Sequence, residues 1–245
     1  MIPGIMAGAT YPAPPPAGGD PYWANVVSLL LLDEPAGATA IVDQRGVPWT
    51  QNGSAVMSGA TSRFGSTSLY LPNSTGYDGF QTPAGLIPQS QPFTLEGWIF
   101  VTDMNGFFNG WTPLFGQGGG VGGGDQAFGL YSGNLVWLRG AGLPGGQVAV
   151  LGATAVTANQ WHHIELGFDG THGYLFLDGV LDAQIADTFG WINTGPYITI
   201  GRELVYGYEA YRLGMRGYIG STRITSGVCR HTESFAPPTE PFPVG

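Results

Sequence analysis

Residues 161–181 have the sequence WHHIELGFDGTHGYLFLDGVL, and this stretch decides the fold class. Apolar residues alternate with polar or small ones in IELGF, residues 164–168, which predicts a half-buried strand. A second strand is expected to begin at Tyr174–Leu177. Asp178-Gly179 follows, and this pair suits a type I′ turn, which needs positive φ at both central positions. The stretch therefore predicts two antiparallel strands followed by a tight hairpin.

Comparable β-runs occur along the rest of the chain, and none of them has the period of a long amphipathic helix. They are Val26–Leu32, Thr67–Leu71, Phe93–Val101, Phe128–Leu138, Val148–Val156, Tyr197–Ile200 and Tyr218–Thr225. The 42 Gly and 19 Pro provide many turns, while 13 Phe, 11 Tyr and 7 Trp are too many aromatic residues for a disordered chain. We therefore expect an all-β domain over residues 21–245, a two-sheet antiparallel jelly-roll sandwich.

Residues 1–20 have a different composition and predict an extended arm. Four prolines between Tyr11 and Ala17 favour polyproline II or coil, and Gly18-Gly19 ends the stretch. Ile2, Ile5 and Met6 give the arm an apolar end, although it has no core of its own. We interpret it as an attachment device that docks on a neighbouring subunit.

Charge and cysteine content exclude several classes of function. The net charge is −9 and all eight basic residues are Arg, which excludes a phosphate-neutralising nucleic-acid site. Cys229 is the single cysteine, so an intrachain disulfide is excluded, and we expect it to be a small buried hydrophobe. The N-terminus lacks the pattern of a signal peptide, and Val26–Leu32 is too short to span a bilayer. We expect a soluble protein made in a cytoplasm.

Three segments together resemble a known family. FTLEGWI at 93–99, WHHI at 161–164 and LFLDGVL at 175–181 occur in the order found in concanavalin A-like lectin/glucanase (laminin-G-like) domains. The closing run, residues 216–239, resembles the variant found in bacteriophage tail and virion proteins. The resemblance implies a concanavalin A-like sandwich on a virion surface, assembled in the host bacterial cytoplasm.

Two departures from the family pattern bear on cofactors and catalysis. Relatives often carry an acidic pair where this chain has Gly220-Ser221, so a structural calcium ion is disfavoured and no metal or other cofactor is expected. The glucanase branch uses a Glu-x-Asp-x-x-Glu run on one strand. Glu96 stands alone in its strand, so we expect no catalytic residues and a protein that is not an enzyme.

Aromatic and polar residues in or near loops are the candidates for contact with a glycan or a protein partner. They are Trp111, Asp125, Gln126, Trp137, Trp191, Tyr206, Tyr208 and Tyr211. Exposed aromatic rings can stack on sugars or anchor an interface, and plain burial is an equal alternative. Trp98 and Trp161 lie within strand patterns, which favours core packing. Adjacent strand residues point to opposite faces, so we expect one of His162 and His163 to be packed and the other exposed.

Three functions remain open at this point. The first is a virion-surface adhesin, at a tail fibre, tail tip or head, that binds host-surface polysaccharide. The second is a capsid decoration or cement protein whose aromatic residues lie between subunits, for example in a trimer. The third, a glycan-cleaving enzyme, is disfavoured. The expected partners are other virion proteins of the capsid or tail and further copies of the chain, with no nucleic acid and no membrane.

Overall fold

The computed structural model describes residues 19–72, 78–83, 85–88, 90–104, 111–118, 126–139, 149–191, 197–202 and 214–245. A short 3-10 turn, Trp23–Asn25, precedes a series of β-strands. The strands are β1 (Val26–Leu30), β2 (Ala40–Val42), β3 (Pro48–Asn52), β4 (Val56–Ser58), β5 (Ser68–Leu71), β6 (Gly79–Pro83), β7 (Phe93–Val101), β8 (Trp111–Gly118), β9 (Gln126–Tyr131), β10 (Asn134–Arg139), β11 (Ala149–Ala155), β12 (Trp161–Phe168), β13 (His172–Leu177), β14 (Val180–Ala186), β15 (Tyr197–Ile200) and β16 (Gly217–Ser226).

The strands form two eight-stranded sheets. Sheet A has the order β14-β13-β12-β7-β16-β5-β4, with β1 also pairing with β16. Sheet B has the order β11-β10-β9-β8-β15-β6-β3-β2. The pairings within both sheets are antiparallel. The predicted all-β, two-sheet antiparallel sandwich is confirmed.

Two tight turns show how local sequence sets the connections. Asp178 and Gly179, between β13 and β14, have φ values of 50° and 75°, as a type I′ turn requires. Ser132 and Gly133, between β9 and β10, also have positive φ, 50° and 87°. The predicted single run Phe128–Leu138 is therefore two strands, because a second two-residue turn interrupts it.

The core lies between the sheets and is built by alternate residues of each strand. In sheet A, Phe93, Leu95 and Ile99 of β7 enter it. From sheet B, Trp49 of β3 and Phe128 of β9 meet them in the same cluster. Full burial of each such side chain contributes about 1.5–3 kcal/mol.

The other face of sheet A is covered along part of its length by residues 227–245, which we call the C-terminal strap. The strap contains no strand, and the backbone N–H of Phe235 donates to the Gly179 carbonyl oxygen at 2.8 Å. His163 and Glu165 of β12 are fully buried beneath it. The prediction that β12 is half-buried is therefore wrong, because a segment distant in sequence covers its polar face. His162 is buried as well, so neither histidine is exposed.

The start of the described chain packs next to the end of the strap. A Cβ at Gly19 would lie 2.6 Å from the Val244 carbonyl oxygen, and Asp20 is buried. The sequence predicts that these two residues belong to the arm, but their packing places them in the domain. The rest of the arm, residues 1–18, lies outside the described residues. None of the helical segments in the described ranges is long and apolar enough to cross a bilayer.

Candidate functional site

The outer face of sheet B carries a row of small and polar residues that lie opposite one another across five strands. Thr50 pairs with Gln81, Gln81 with Thr199, Thr199 with Gly116, and Gly116 with Ala127. Their sequence neighbours enter the core, so these five residues point away from it. We call them the B-face row. Thr50 is exposed and Gln81 is half-exposed, whereas Thr199, Gly116 and Ala127 are buried, so solvent reaches the row at its β3–β6 end.

Two exposed tyrosines flank the B-face row. Tyr131 at the end of β9 is 44% exposed, and Tyr197 at the start of β15 is 39% exposed. Tyr131 lies four residues after Ala127, and Tyr197 lies two residues before Thr199. Even spacing along a strand places both tyrosines on the same face as the row. Each offers a flat apolar ring with a hydroxyl at its tip.

Hydrogen-bonding groups lie on β15 and on the two strands beyond it, β6 and β3. The hydroxyl of Thr50 donates to the backbone carbonyl of Gln81 at 3.4 Å, and the half-exposed side chain of Gln81 carries an amide with donors and an acceptor. The hydroxyl of Thr199 is buried and donates to the Arg202 carbonyl oxygen at 2.6 Å. At the sheet edge, Leu151 of β11 is 52% exposed and adds an apolar contact. The face therefore combines stacking, polar and apolar groups.

Three residues predicted as surface contacts are buried instead. Gln126 and Trp191 are 0% exposed and Trp137 is 1% exposed. Trp137 packs edge-on against Phe93 in the core, with ring centroids 6.0 Å apart. The indole N–H of Trp191 donates to Gln117 Oε1, which satisfies its polar atom inside the protein. The surface assignment is wrong for these three residues. Burial, the alternative left open for the aromatic residues, describes Trp137 and Trp191, whereas Gln126, predicted to lie beside a flexible surface loop, is buried at the start of β9.

The remaining predicted residues do not form one described cluster. Trp111 lies opposite Tyr131 at one end of the β8–β9 ladder, whereas Gln126 lies opposite Gln117 at the other end. The five-residue step from Gln126 to Tyr131 corresponds to about 17 Å along a strand. Asp125, Tyr206, Tyr208 and Tyr211, like Ile2, Ile5 and Met6 of the arm, lie outside the described residues.

Sequence reasoning missed Tyr131 and Tyr197, although a signal for both exists. Tyr131 directly precedes the Ser132-Gly133 turn, and alternation from the core residue Phe128 puts it on the outer face. Tyr197 stands one residue before the core residue Ile198. Exposed aromatic residues are thus better predicted from alternation along a strand, counted from a core residue, than from proximity to a loop.

A second cluster of functional groups lies under the strap on sheet A. Arg223 of β16 donates to Glu96 at 2.8 Å and to Asp20 at 2.7 Å. Arg230 of the strap donates to both oxygens of Asp20, at 3.0 and 2.7 Å. Asp20, Glu96 and Arg223 are almost fully buried. The side chain of Arg230 is also only 5% exposed. Two cations thus neutralise two carboxylates.

Glu165 and Glu96 lie directly opposite each other in the β12–β7 register. Burial raises the pKa of Glu165, Glu96 raises it further, and His231, at 2.9 Å from its carboxylate, only partly offsets this. Burial acts in the same way on Glu96, but Arg223, the nearby His163 and Arg230 outweigh it and lower the pKa of that carboxyl. These carboxylates therefore fix the strap, and they do not face a surface that a substrate could reach within the described residues.

Cys229 of the strap is partly buried against Tyr174, Phe176 and Phe235. Burial raises the pKa of its thiol to about 12. It therefore packs as a small apolar residue, as expected from the sequence. Within the described ranges, no group of three or more His, Cys, Asp or Glu side chains is arranged to hold a metal ion.

Two facing antiparallel sheets with a core between them define the class of β-sandwich proteins. A sequence profile described as the concanavalin A-like lectin/glucanases superfamily matches residues 74–233. The chain belongs to this family. Among curated protein sequences, none matches it significantly.

Solved structures with the same fold come from several proteins. Domain 4 of AbnA, a GH43 extracellular arabinanase from Geobacillus stearothermophilus, in complex with arabinotriose, is 16% identical with a TM-score of 0.62, covering 84% of this chain and 94% of that one. The binding domain of Paraclostridial Mosquitocidal Protein 1 is 15% identical with a TM-score of 0.60, covering 89% and 51%. The binding domain of botulinum neurotoxin serotype G is 13% identical with a TM-score of 0.59, covering 84% and 49%. The chain spans about half the length of the two toxin chains.

Proposed function

We propose that this chain is a non-enzymatic glycan-binding protein of a bacteriophage virion, which contacts host-surface polysaccharide through the outer face of sheet B. The observation that carries the proposal is the pair of exposed tyrosines, Tyr131 and Tyr197, on either side of the B-face row. Aromatic rings stack on the apolar C–H faces of sugars, and Thr50 and Gln81, the solvent-accessible members of the row, add hydrogen-bonding groups on the same face.

Charge narrows the class of glycan. The chain carries 17 acidic and 8 basic residues, and the B-face row contains no charged side chain. An acidic protein repels polyanionic polymers, so a neutral polysaccharide fits this face best. The AbnA domain, which has the same fold, was solved with arabinotriose, a neutral oligosaccharide and thus a ligand of the proposed class.

The virion location rests on the sequence. Residues 216–239 resemble the closing segment of bacteriophage tail and virion proteins, and the arm ends in the apolar residues Ile2, Ile5 and Met6. The arm would attach the domain to a capsid or tail subunit after assembly in the bacterial cytoplasm. Deleting residues 2–18 should then prevent incorporation into particles, as measured by mass spectrometry of purified virions, and normal incorporation would contradict the proposal.

A second candidate is a decoration protein whose exposed apolar residues serve subunit contacts, for example in a trimer. Val180 and Phe189 are large apolar residues that are exposed and lie away from the B-face row. Exposed apolar residues of this size are suited to the centre of an interface. Imaging virions at subunit resolution separates the two functions: lattice positions on the capsid support decoration, whereas a tail tip with sheet B outward supports glycan binding.

Glycan binding is tested with two variants and a matched control. Tyr131→Ala and Tyr197→Ala should each weaken binding of purified protein to host polysaccharide by about tenfold, because one stacked ring contributes about 1–1.5 kcal/mol. Val180→Ala, an equally exposed residue on sheet A, should leave binding unchanged. Equal affinities for all three variants, measured by calorimetry, would exclude the B-face row as the binding site.

A further inference from the structure

Four aromatic residues form a row across the outer face of sheet A, at the opposite end of the strands from the buried charges. Tyr70 of β5 lies opposite Tyr218 of β16, Tyr218 opposite Phe100 of β7, and Phe100 opposite Trp161 of β12. All four are half-buried, and we call them the A-face row. The prediction of core packing holds for Trp98, which is buried nearby, but Trp161 remains partly open to solvent.

The rings make a ridged surface rather than a flat one. Neighbouring centroids are 5.0 Å apart for Tyr70 and Tyr218, 5.9 Å for Phe100 and Tyr218, and 5.6 Å for Phe100 and Trp161. The corresponding interplanar angles are 33°, 78° and 56°. Rings tilted in this way leave grooves between them and do not provide the coplanar platform on which a sugar chain would stack.

A ridged aromatic surface with hydroxyl donors is the kind of surface that binds a proline-rich segment. Such segments adopt polyproline II before binding, insert proline rings between aromatic side chains and leave their carbonyl oxygens free to accept hydrogen bonds. Tyr70 and Tyr218 supply hydroxyl donors within the row. The row contains no charged side chain, so its partner should also be uncharged.

We propose that the A-face row is the docking site for the proline-rich segment of this chain's own arm, residues 11–18. The segment has the sequence YPAPPPAG, contains a Pro-x-x-Pro pattern from Pro12 to Pro15, and carries no charged residue. It is followed closely by Asp20, which Arg223 and Arg230 fix on the same face of sheet A. The inference does not depend on whether sheet B binds a glycan.

The distances allow the segment to reach the row. Arg223 and Tyr218 lie opposite Glu96 and Phe100, which are four residues apart along β7, and this corresponds to about 13 Å. Pro12 to Pro16 precede Asp20 by eight to four residues. At the rise of polyproline II they lie within about 12–25 Å of it along the chain, which spans the required distance.

Half-buried aromatic residues also line the way from Asp20 to the row. Trp23, Phe64 and Trp161 pack against one small cluster on the outer face of sheet A, which includes Trp98. Arg63 lies over the rings of Phe64 and Trp98, at 4.8 and 4.2 Å from their centroids, so this stretch is aromatic and is covered in part by a cation. Docking of the proline-rich segment would set the direction in which the apolar end of the arm, residues 2–6, projects toward a neighbouring subunit.

The test is site-specific photo-cross-linking of the full chain. Tyr218 is replaced with the photoreactive residue p-benzoylphenylalanine, and an equal mixture of unlabelled and ¹⁵N-labelled protein is irradiated and analysed by mass spectrometry. We expect cross-links from position 218 to residues 11–18 within single-isotope species. The matched control carries the same residue at Tyr197 on sheet B and should give at least about tenfold fewer links to the arm. Links to the arm only in mixed-isotope species, or no excess over the control, would overturn the proposal.

A second measurement keeps all four native rings of the row. In a variant with the four prolines between Tyr11 and Ala17 changed to Ala, hydroxyl-radical oxidation of Tyr70 and Trp161 should rise several-fold relative to the parent chain, because the segment loses its preformed conformation. Oxidation of Tyr197 should not change. Identical oxidation of Tyr70 and Trp161 in the two chains would mean that the arm does not cover the row.

Discussion

Substitution of Gly179 tests how the C-terminal strap is held on sheet A. Gly179 has φ of 75°, a value that L-residues with a Cβ adopt at a cost of about 1–2 kcal/mol. A Cβ at this position would also lie 2.1 Å from the Phe235 carbonyl oxygen and 2.9 Å from Pro237 Cδ. Because the first of these contacts is with backbone, the strap would have to move. Moving it exposes Phe235, whose burial contributes about 1.5–3 kcal/mol.

We therefore expect Gly179→Ala to lower the free energy of unfolding by about 3–5 kcal/mol. Gly170→Ala is the matched control, because Gly170 has φ of 103° in a neighbouring turn, but no atom lies within 4 Å of the position that its Cβ would take. That variant should lose only the backbone cost, about 1–2 kcal/mol.

Urea denaturation measures both variants, and hydrogen exchange of the Phe235 amide reports on the strap itself, since that N–H donates to Gly179 at 2.8 Å. In Gly179→Ala the amide should exchange much faster than in Gly170→Ala. Equal losses of stability together with unchanged exchange at Phe235 would refute the conclusion that this glycine is required for the strap to dock.

Three further predictions concern the groups beneath the strap. Arg230→Met should destabilise the fold by about 3 kcal/mol, because Arg223 alone then faces the two buried carboxylates Asp20 and Glu96. Arg216→Met, which breaks a partly exposed pair with Asp103, should cost below about 1 kcal/mol by urea denaturation. Burial lowers the pKa of His231, but the hydrogen bond with Glu165 outweighs burial, and the net effect raises that pKa. Protonated His231 therefore contributes its full stabilisation at pH values below its ordinary pKa of 6.5. The contribution is lost as the pH rises through the pKa that His231 has in the folded protein. Since the pKa of Glu165 is also raised, from an ordinary value of 4.5, the free energy of unfolding should fall as the pH rises from about 4.5 through the folded pKa values of both groups, and a pH-independent curve would contradict the assignment. Cys229, with a pKa of about 12, should resist iodoacetamide in the folded protein and react after denaturation, as followed by mass spectrometry.

The architecture could be predicted where local sequence determines conformation. The Asp178-Gly179 pair has positive φ at both residues, and Phe93–Val101 forms a strand with the predicted bounds. What could not be predicted is the cover over β12. Glu165 and His163 occupy alternate positions of β12, the pattern expected of polar side chains that face solvent. They are buried instead, and one of the residues that cover them, His231, lies 66 positions from Glu165. No local pattern encodes a contact of that range.

The candidate site was harder to predict than the fold, for a related reason. Trp137 lies in the continuous apolar run Leu135–Leu138, which carries no alternation, so its direction depends on the register with β9. Tyr131 and Tyr197 were open to inference from strand parity once neighbouring core residues were assigned. Aromatic residue type alone does not distinguish a core residue from a surface one.

The pairing of Asp20 with Arg223 and Arg230 has a consequence for the order of events during synthesis. The partners are 203 and 210 positions apart, and β1 pairs with β16 over a similar separation. A nascent chain exposes Asp20 and the β1 edge until almost every other strand has left the ribosome. Contacts between such distant residues are slow to form, so closure of sheet A is a late step of folding. Until β16 is made, the edge of β1 lacks the strand with which it pairs, and such an edge is prone to pair with other chains.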